Sequence, residues 1–584
     1  MTHHLAGLKI KNYRSCKDIE IELSNFTPIV GYNNAGKSNI LSSIEWLLKD
    51  RLLSQSDYND ITQEISVEGN IAGITQSILD CLSTTHRARI TPYIDNEKIT
   101  IQRIQPVGAT KKADTILKVL NPTTTIFDSN PTGIDNAISA LFPEPIRIGA
   151  MENAADDATK AKATSTIGKI LSNICDNLVQ QHTTEVSNHI NAINDLISHN
   201  GNSRISQIGI IDSSINTKIH NLFPGINLKL HFETPQVSDL LRAGTIKVSE
   251  SPNLTSTDFT TYGHGTQRAI QMALIQHLAD ITCNTTTGST TLLLIDEPEL
   301  YLHPSAIEYV RVALERLAST NYQIIFTTHS AQIINSDTAP NTILIRKNQT
   351  NGTYCKSRLK DAISQNITNA QHQAEHLFSL TQSSKVLFAD MVILAEGKTE
   401  QSLLPFLYEE VQGYTLQSKN KALISTNSVD NISNTMKILD AMSLPAKAIV
   451  DLDFAFRGAI LNGYINANDA DISALKVILN QMAANGLCTL DSDGLPKKSA
   501  ICSAAAAFAI MATQQNASTH IDALHQKLLP HNIWIWKGGA IEVPLGLTGK
   551  KPQHWAAYKS RVKTLTFNQS CPDPSAIIDL AQWL

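Results

Sequence analysis

Leu8 and Ile10, then Ile19, Ile21 and Leu23, alternate with polar neighbours, which predicts half-buried strands in a meander. A short apolar strand over residues 26–30 runs into Gly31-Tyr-Asn-Asn-Ala-Gly36-Lys37-Ser38, and behind that loop Ile40, Leu41, Ile44, Leu47 and Leu48 recur at helical spacing. Further along, Ile167, Ile170, Leu171, Ile174 and Leu178 form one apolar stripe, and Val186, Ile190, Ile193 and Ile197 form another. The stripes predict two amphipathic helices, either a hairpin packed on its own domain or a dimerisation insert. Apolar runs over 292–295 and 323–326 predict buried strands. After a polar stretch the pattern changes. An apolar run over 391–395, a helix bearing Leu403, Leu404, Phe406 and Leu407, a strand over 422–424, a helix over 432–439 and a strand over 446–450 follow in turn. This β-α-β-α-β alternation predicts a parallel sheet.

Composition narrows the class. A chain of 584 residues, 42% hydrophobic and 17% charged, is expected to fold as about two to four soluble globular domains. Net charge is −5, so there is no global basic field for nucleic acid, and DNA contact must come from local Lys/Arg patches or through metal ions. The eight cysteines (16, 81, 175, 283, 355, 488, 502 and 571) are scattered with no C-x-x-C pair. They read as buried reduced thiols rather than as disulfides or a zinc site. The most apolar run, 501–512, is too short to span a membrane, and the N-terminus lacks a signal pattern, so a cytoplasmic protein with no membrane partner is expected.

The glycine loop sits where a phosphate-binding P-loop needs it, between a strand and a helix. Its backbone N–H groups and the helix N-terminus attract phosphate, Lys37 is expected to reach the β/γ-phosphates, and Ser38 to ligate Mg²⁺. The apolar strand over 292–295 ends in Asp296-Glu297, a Walker B arrangement in which Asp296 holds the Mg²⁺ shell and Glu297 orients the attacking water. His303, before Pro304, reads equally as a capping or packing histidine and as a residue acting across a dimer interface. His329, past the strand over 323–326, is placed to sense a γ-phosphate, though alone it also reads as a packing histidine. Before Walker B, Tyr262-Gly263-His264-Gly265-Thr266-Gln267-Arg268 opens a helix and forms a candidate anion site.

The acidic residues of the C-terminal part lie at strand ends. Glu396 follows the run 391–395, Glu400 lies one helical turn on, and Asp451-Leu-Asp453 follows the strand over 446–450. In parallel sheets ligands bind beyond such ends. On a regular strand Asp451 and Asp453 point to one face. Clustered carboxylates repel one another unless a cation neutralises them, and Mg²⁺ or Mn²⁺ suits such oxygens. Two ions would serve an in-line phosphodiester displacement.

The order of P-loop, glycine signature, Walker B and histidine resembles the ABC/SMC/RecF-like ATPase head, and Ile10-Lys-Asn-Tyr-Arg-Ser15 is similar to that superfamily's first-strand motif. The resemblance implies that ATP is bound by Asn33, Gly36, Lys37, Ser38, Asp296 and His329 of one protomer and by Gly263 and Gly265 of a second, so that a homodimer or higher homo-oligomer belongs to the mechanism. The acidic part resembles a Toprim domain. An ABC head followed by Toprim resembles the OLD (overcoming lysogenisation defect) family in its stand-alone, class 1 form. The implied fold is α/β: an ABC/SMC-type ATPase head over 1–155 and 241–350, a helical dimerisation insert over 156–240, a helical linker over 351–387, and a Toprim parallel-sheet domain with a C-terminal extension over 388–584. The implied function is an ATP-hydrolysing, divalent-metal-dependent DNA nuclease in anti-phage defence or phage exclusion. ATP and Mg²⁺ are the expected cofactors, with Mn²⁺ or Ca²⁺ as alternatives at the nuclease site. Glu297 and Glu396 are expected to be catalytic, and Glu396, Glu400, Asp451 and Asp453 to hold metal. The family also uses a late lysine and glutamate, which Lys537 and Glu542 resemble: Lys537 to stabilise phosphate charge, Glu542 to complete a metal site. Without the resemblance, Trp534 and Trp536 read as strand core and Lys537 as a strand-end cation. One departure stands out: residues 425–431 lack the glycine many relatives carry after the second Toprim strand. The alternative function is therefore an ATPase switch or scaffold whose Toprim region binds nucleic acid, or a partner such as a helicase or a reverse transcriptase–noncoding-RNA complex, without cutting.

Overall fold

The computed structural model describes residues 3–142, 145–149, 184–222, 225–234, 247–249, 256–282, 290–335, 337–363, 383–426 and 430–584. The chain forms two compact units, Met1–Thr27 with Ser38–Thr328, and Pro28–Lys37 with His329–Leu584. Residues 28–37 belong with the C-terminal unit because Ile29 and Val30 lie in parallel register with Ile343 and Leu344. Thr353 Oγ1 also donates to the Ala35 carbonyl at 2.9 Å.

In the first unit the N-terminal alternation forms an antiparallel meander. His4–Tyr13 pairs with Cys16–Glu22 on one edge and with Ile65–Ala72 on the other, and Lys98–Gln105, Ile116–Asn121 and Ile126–Ser129 extend it. Leu8, Ile10, Ile19, Ile21, Val67, Ile71, Ile99 and Ile101 are all buried, as period-2 alternation requires of one covered face. Gly69 is needed where the Lys37–Leu48 helix crosses this sheet. A Cβ there would lie 2.5 Å from Leu47 Cδ2 and 2.9 Å from Leu5 Cδ1. The same unit carries the parallel strands Ile146–Ile148, Thr291–Asp296 and Tyr322–Thr328, of which the second pairs with both others. Its buried His3 ring meets the Leu141 carbonyl at 2.7 Å and the Phe142 ring edge-on.

Of the two stripes read as an insert, the first (Ile167 to Leu178) lies outside the described residues. The second lies in a helix over 184–197, followed by the helix Ser206–Leu222. Asp195 accepts from the Asn202 and Ser203 amides and Arg204 pairs with Asp212, closing the hairpin. Ile193, Leu196, Ile205, Ile210 and Ile211 stay exposed on it.

The second unit contains the four-stranded parallel sheet expected from the C-terminal alternation. Its order is Lys421–Ser425, Met391–Ala395, Ala446–Val450, Ile533–Ile535. The fourth strand arrives after a long helical excursion (Ala470–Ala484, Ala504–Ala512 and Ala517–Leu528). One core packs on this sheet: Ile393, Leu403, Leu404 and Leu407 meet Trp534, Trp536, Tyr558 and Leu580. That core fixes the late helices Pro552–Thr564 and Pro574–Trp583 against the strand ends. Among the described residues no helix is long and apolar enough to cross a membrane.

Candidate functional site

The nucleotide motifs are built separately in each unit. In the second unit the loop after Val30 turns through left-handed conformations at Asn34 (φ 64°) and Gly36 (φ 102°), the second of which favours glycine. Lys37 is buried. Its ammonium donates to the carbonyls of Gly31 (2.9 Å) and Tyr32 (3.1 Å) and meets His329 Nε2 at 2.7 Å. Lys37 and His329, far apart in sequence, are thereby brought together, while Asn33 stands exposed beside them on the loop.

In the first unit Ser38 Oγ donates to Asp296 Oδ1 at 2.9 Å, as a shared Mg²⁺ shell would require. Thr327 Oγ1 donates to the same oxygen at 3.0 Å, and Arg147 donates to Oδ2 at 2.6 Å. Glu297 is held at φ 49°, a left-handed conformation strained for a glutamate, by its amide on the Thr327 carbonyl (3.0 Å). Arg268 closes the turn from behind. Its Nη2 donates to the carbonyls of Asp296 (2.6 Å) and Glu297 (2.8 Å), and its Nη1 to that of Gly149 (3.2 Å). Burial pushes this guanidinium down to about 10, against the pull of Glu299, Asp296 and Glu297. Gly263 precedes the helix His264–Thr282 with open space around it, and Gly265 faces the Tyr301 carbonyl, against whose ring His264 stacks. His303 caps the helix Pro304–Ala318, its ring accepting from the Ser305 amide. The capping reading of His303 is thus the one its geometry supports. Arg147 and Arg268 carried no signal of these contacts in the sequence beyond the motif that contains Arg268.

The acidic motifs converge entirely within the second unit. Met391–Ala395 and Ala446–Val450 are adjacent parallel strands, so their C-terminal ends lie side by side. The Asp451 amide donates to Glu396 Oε2 at 3.2 Å. The common strand face expected for Asp451 and Asp453 is not what unites them. The strand stops at Val450, Asp451 caps a 3₁₀ turn over Leu452–Phe456, and Asp453 lies within that turn. Glu400 is in the first turn of the helix Lys398–Gln412 and buried. Glu542 opens the helix Glu542–Leu545 and accepts from Thr399 Oγ1 at 2.8 Å.

Charge at this site is only partly compensated. Burial, then the charges of Asp453 and Glu400, push the Glu396 carboxyl up to about 7. Burial and the charges of Glu396 and Glu400 hold Asp451 well above the usual carboxylate range, and burial raises Glu400 and Asp453. Asp453 Oδ1 is buried without a hydrogen-bond partner. Lys550 reaches the cluster, 3.4 Å from Glu542 Oε2 and 3.8 Å from Asp451 Oδ2, and the charge of Arg457 also acts on Asp453. Although burial alone would lower the Lys550 ammonium, Asp451 and Glu542 raise it. As they stand, no three acidic, histidine or cysteine side chains among the described residues close around one point as a finished metal site. The donor set, all carboxylate, with buried Asp453 Oδ1 unpaired and buried Glu542 Oε2 meeting only the Lys550 ammonium, nevertheless fits a hard divalent cation better than any neutral ligand.

Lys537 departs from its expected place. Trp536 is buried and bonds its amide to the Val450 carbonyl, so the next side chain turns the other way. Lys537 pairs with Asp522 at 2.7 Å on the helix Ala517–Leu528, and Lys550 takes the position at the carboxylates. A signal for Lys550 existed. Lys550-Lys551 directly precede a helix starting at Pro552, where the dipole disfavours cations unless anions lie nearby. In the turn lacking glycine, Ser425 and Thr426 are buried and the Thr426 amide bonds to Ala395 O at 3.1 Å. Asn427, Ser428 and Val429 lie outside the described residues.

Residues 4–334 match the AAA ATPase domain family, and residues 387–453 match the TOPRIM domain of overcoming lysogenization defect-like proteins. The chain is 39% identical over 560 residues to the Old nuclease of Escherichia phage P2, covering 95% of each. It is 21% identical to the endonuclease GajA of Bacillus cereus (strain HuB5-5), over 75% of this chain and 72% of that one. An SMC head domain from Thermotoga maritima aligns with 61% of this chain and 98% of its own at 16% identity and a TM-score of 0.29. The chain is an ATPase–nuclease of the overcoming lysogenization defect family, an AAA ATPase domain followed by a parallel-sheet TOPRIM domain.

Proposed function

We propose that this protein is a nucleotide-gated, divalent-metal-dependent DNA nuclease acting in anti-phage defence or phage exclusion. The observation that carries the reading is the convergence of Glu396, Glu400, Asp451, Asp453 and Glu542, from three separate stretches of sequence, on buried strand ends with Lys550 at the rim. These five carboxylates would hold Mg²⁺, with Mn²⁺ or Ca²⁺ as substitutes. Bound ions there would supply water activation and leaving-group stabilisation. Lys550 would offer its ammonium to the phosphate charge that grows during displacement, and Thr399 fixes the Glu542 carboxylate. In the head, Lys37, Ser38, Asn33 and Gly36 bind ATP, Asp296 orders the Mg²⁺ shell, Glu297 orients water, and His329 reads the γ-phosphate. Gly263 and Gly265 act on the nucleotide of a second copy. The hairpin over 184–222, with its exposed isoleucines, supplies part of the contact between copies. The names of the relatives, a nuclease and an endonuclease, support a nucleic acid as the substrate, and we take that nucleic acid to be DNA.

The test is cleavage of linear and plasmid DNA by the purified protein in Mg²⁺, Mn²⁺ or Ca²⁺, with Glu396→Gln and Asp451→Asn alongside. Cleavage that disappears in both variants while ATP turnover persists is expected; cleavage surviving both would reject the site. A second reading, an ATPase switch that binds nucleic acid without cutting it, is favoured by the open spacing of the carboxylates. Absence of product in all three metals would select it.

A further inference from the structure

Arg346 lies on the strand Ile343–Asn348 and is almost fully buried, with 3% of its surface exposed. Its guanidinium faces the chain just before the strand that carries Glu396. Nη2 donates to the carbonyls of Ala389 (2.9 Å) and Leu387 (3.3 Å), and Nε to Asp390 Oδ1 (3.3 Å). Asp390 is held in turn by Asn420, whose Nδ2 donates to Oδ2 at 3.0 Å and whose carbonyl accepts from the Asp390 amide at 2.8 Å. Asp390 and Asn420 are the residues immediately before Met391–Ala395 and Lys421–Ser425. Arg346 therefore grips the entry to two neighbouring strands of the acidic sheet.

The same few residues of this strand hold the phosphate loop. Tyr32 Oη donates to the Lys347 carbonyl at 2.7 Å and accepts from the Lys347 amide at 3.0 Å. The Arg346 guanidinium lies 5.7 Å from the centre of the Tyr32 ring. Gly31 approaches so closely that a Cβ would sit 2.5 Å from the Ile345 carbonyl. Lys37, whose ammonium a nucleotide phosphate would claim, donates to the carbonyls of these two loop residues, Gly31 and Tyr32. A cavity of about 830 Å³, lined in part by Tyr32, Lys347, Lys356, Asp390 and Asn420, runs beside the link and leaves room for side chains to shift.

We infer that Arg346 is a positioning residue that carries the state of the phosphate loop to the strand ending in Glu396. The inference rests on the reading of the protein as a nucleotide-gated nuclease. When phosphate takes up the Lys37 ammonium, the Gly31 and Tyr32 carbonyls must share or lose a donor, and the loop readjusts at Tyr32. Two hydrogen bonds pass that displacement to the Lys347 main chain. Arg346 sits beside it, and being buried it cannot exchange its carbonyl partners for water without loss. Residues 387–390, and with them the strand Met391–Ala395, move together with the loop rather than independently of it.

The experiment compares wild type, Arg346→Ala, Arg346→Lys and Asp390→Asn as full-length proteins. ATP turnover, DNA cleavage with and without ATP, and amide hydrogen exchange over residues 391–395 with and without ATP are measured. Turnover is expected to stay within about twofold of wild type in all three variants. The ratio of cleavage with ATP to cleavage without it is expected to collapse to near one in Arg346→Ala. A partial loss is expected in Arg346→Lys, whose single ammonium cannot span the same acceptors, and in Asp390→Asn, whose exposed position makes misfolding no explanation. The ATP-induced change in exchange over 391–395 should shrink in parallel, a response that a merely structural arginine would leave intact. A wild-type protein that responds to ATP, together with variants that keep its ratio and its exchange response, overturns the inference alone. A wild-type protein that cleaves equally with and without ATP overturns the gated reading and the inference together.

Discussion

Lys550 faces two carboxylates of the acidic site whereas Lys537 faces Asp522, so substitution separates their roles. Lys550→Ala is expected to lower DNA cleavage by about 10²-fold, the usual cost of removing one preorganised donor, while Lys537→Ala changes it little. Turnover assays on the two variants check this, and the reverse result would restore Lys537 to the site. At the nucleotide end, Lys37→Ala should abolish ATP binding in an equilibrium titration. Glu297→Gln should bind ATP and fail to hydrolyse it, and undiminished turnover would remove Glu297 from its role. Residue types and spacing made Lys37, Ser38, Asp296, Glu396, Glu400, Asp451 and Asp453 legible. They could not reveal Arg147 or Thr399, because each acts on a partner far away in the chain and belongs to no periodic pattern, and they marked Lys550 only as a cation before a helix, not as a neighbour of Asp451.

At the scale of elements, the helix His264–Thr282 and the Walker B turn are joined through Arg268. Arg268→Lys is expected to leave at least one of three backbone carbonyls without its donor and to cost about 1–3 kcal/mol. Because those carbonyls belong to Asp296, Glu297 and Gly149, ATP turnover should fall more than ATP affinity. Equal losses in both would reduce Arg268 to a packing role. Gly69 tests the contact of the P-loop helix with the meander. Gly69→Ala forces Leu47 and Leu5 aside and is expected to lower stability by about 1–3 kcal/mol, read from the denaturation midpoint. Periodicity disclosed these elements well: the meander, the P-loop helix and the three alternating strands of the acidic sheet all fold where their patterns predict. The fourth strand, Ile533–Ile535, shows in the sequence as apolar core at Trp534 and Trp536, but its place in the sheet is not legible because it is three residues long and returns after four α-helices. The turn after Val450 is hidden as well, since alternation continues to read as strand where the backbone has already tightened into a 3₁₀ turn.

For the whole molecule, stability should depend on pH through a buried histidine. Burial, only partly offset by the bond to the Leu141 carbonyl, pushes His3 down to about 4, so its neutral form is favoured in the folded state. The unfolded chain takes up that proton near the ordinary imidazole value and the folded chain resists it. The contribution is present in full above about 6.5 and is lost as pH falls towards about 4, up to about 3 kcal/mol. Thermal midpoints measured across that window should fall less steeply in His3→Gln than in wild type; parallel curves would show that His3 does not govern the loss. The second whole-molecule expectation is assembly. Light scattering on Glu297→Gln with ATP should show a larger particle than without it if, as proposed, Gly263, which stands in open space, and Gly265 act on the nucleotide of a second copy.

Local physics was enough to determine the parts of this protein. A glycine loop between strand and helix, an acidic pair after an apolar strand, and carboxylates at the ends of buried strands each follow from short stretches of sequence, because backbone geometry and hydrophobic alternation act over a few residues. What only the tertiary structure decided is which parts meet. The parallel register of Ile29 and Val30 with Ile343 and Leu344 places the phosphate loop in the same compact unit as the acidic sheet. Packing of the late helices, through Tyr558 and Leu580, on Trp534 and Trp536 delivers Lys550, not Lys537, to the carboxylates. Buried Arg346 then ties the loop's supporting strand to the strand of Glu396. Such pairings depend on long-range burial and on satisfying buried polar groups, and these are settled by the folded chain as a whole.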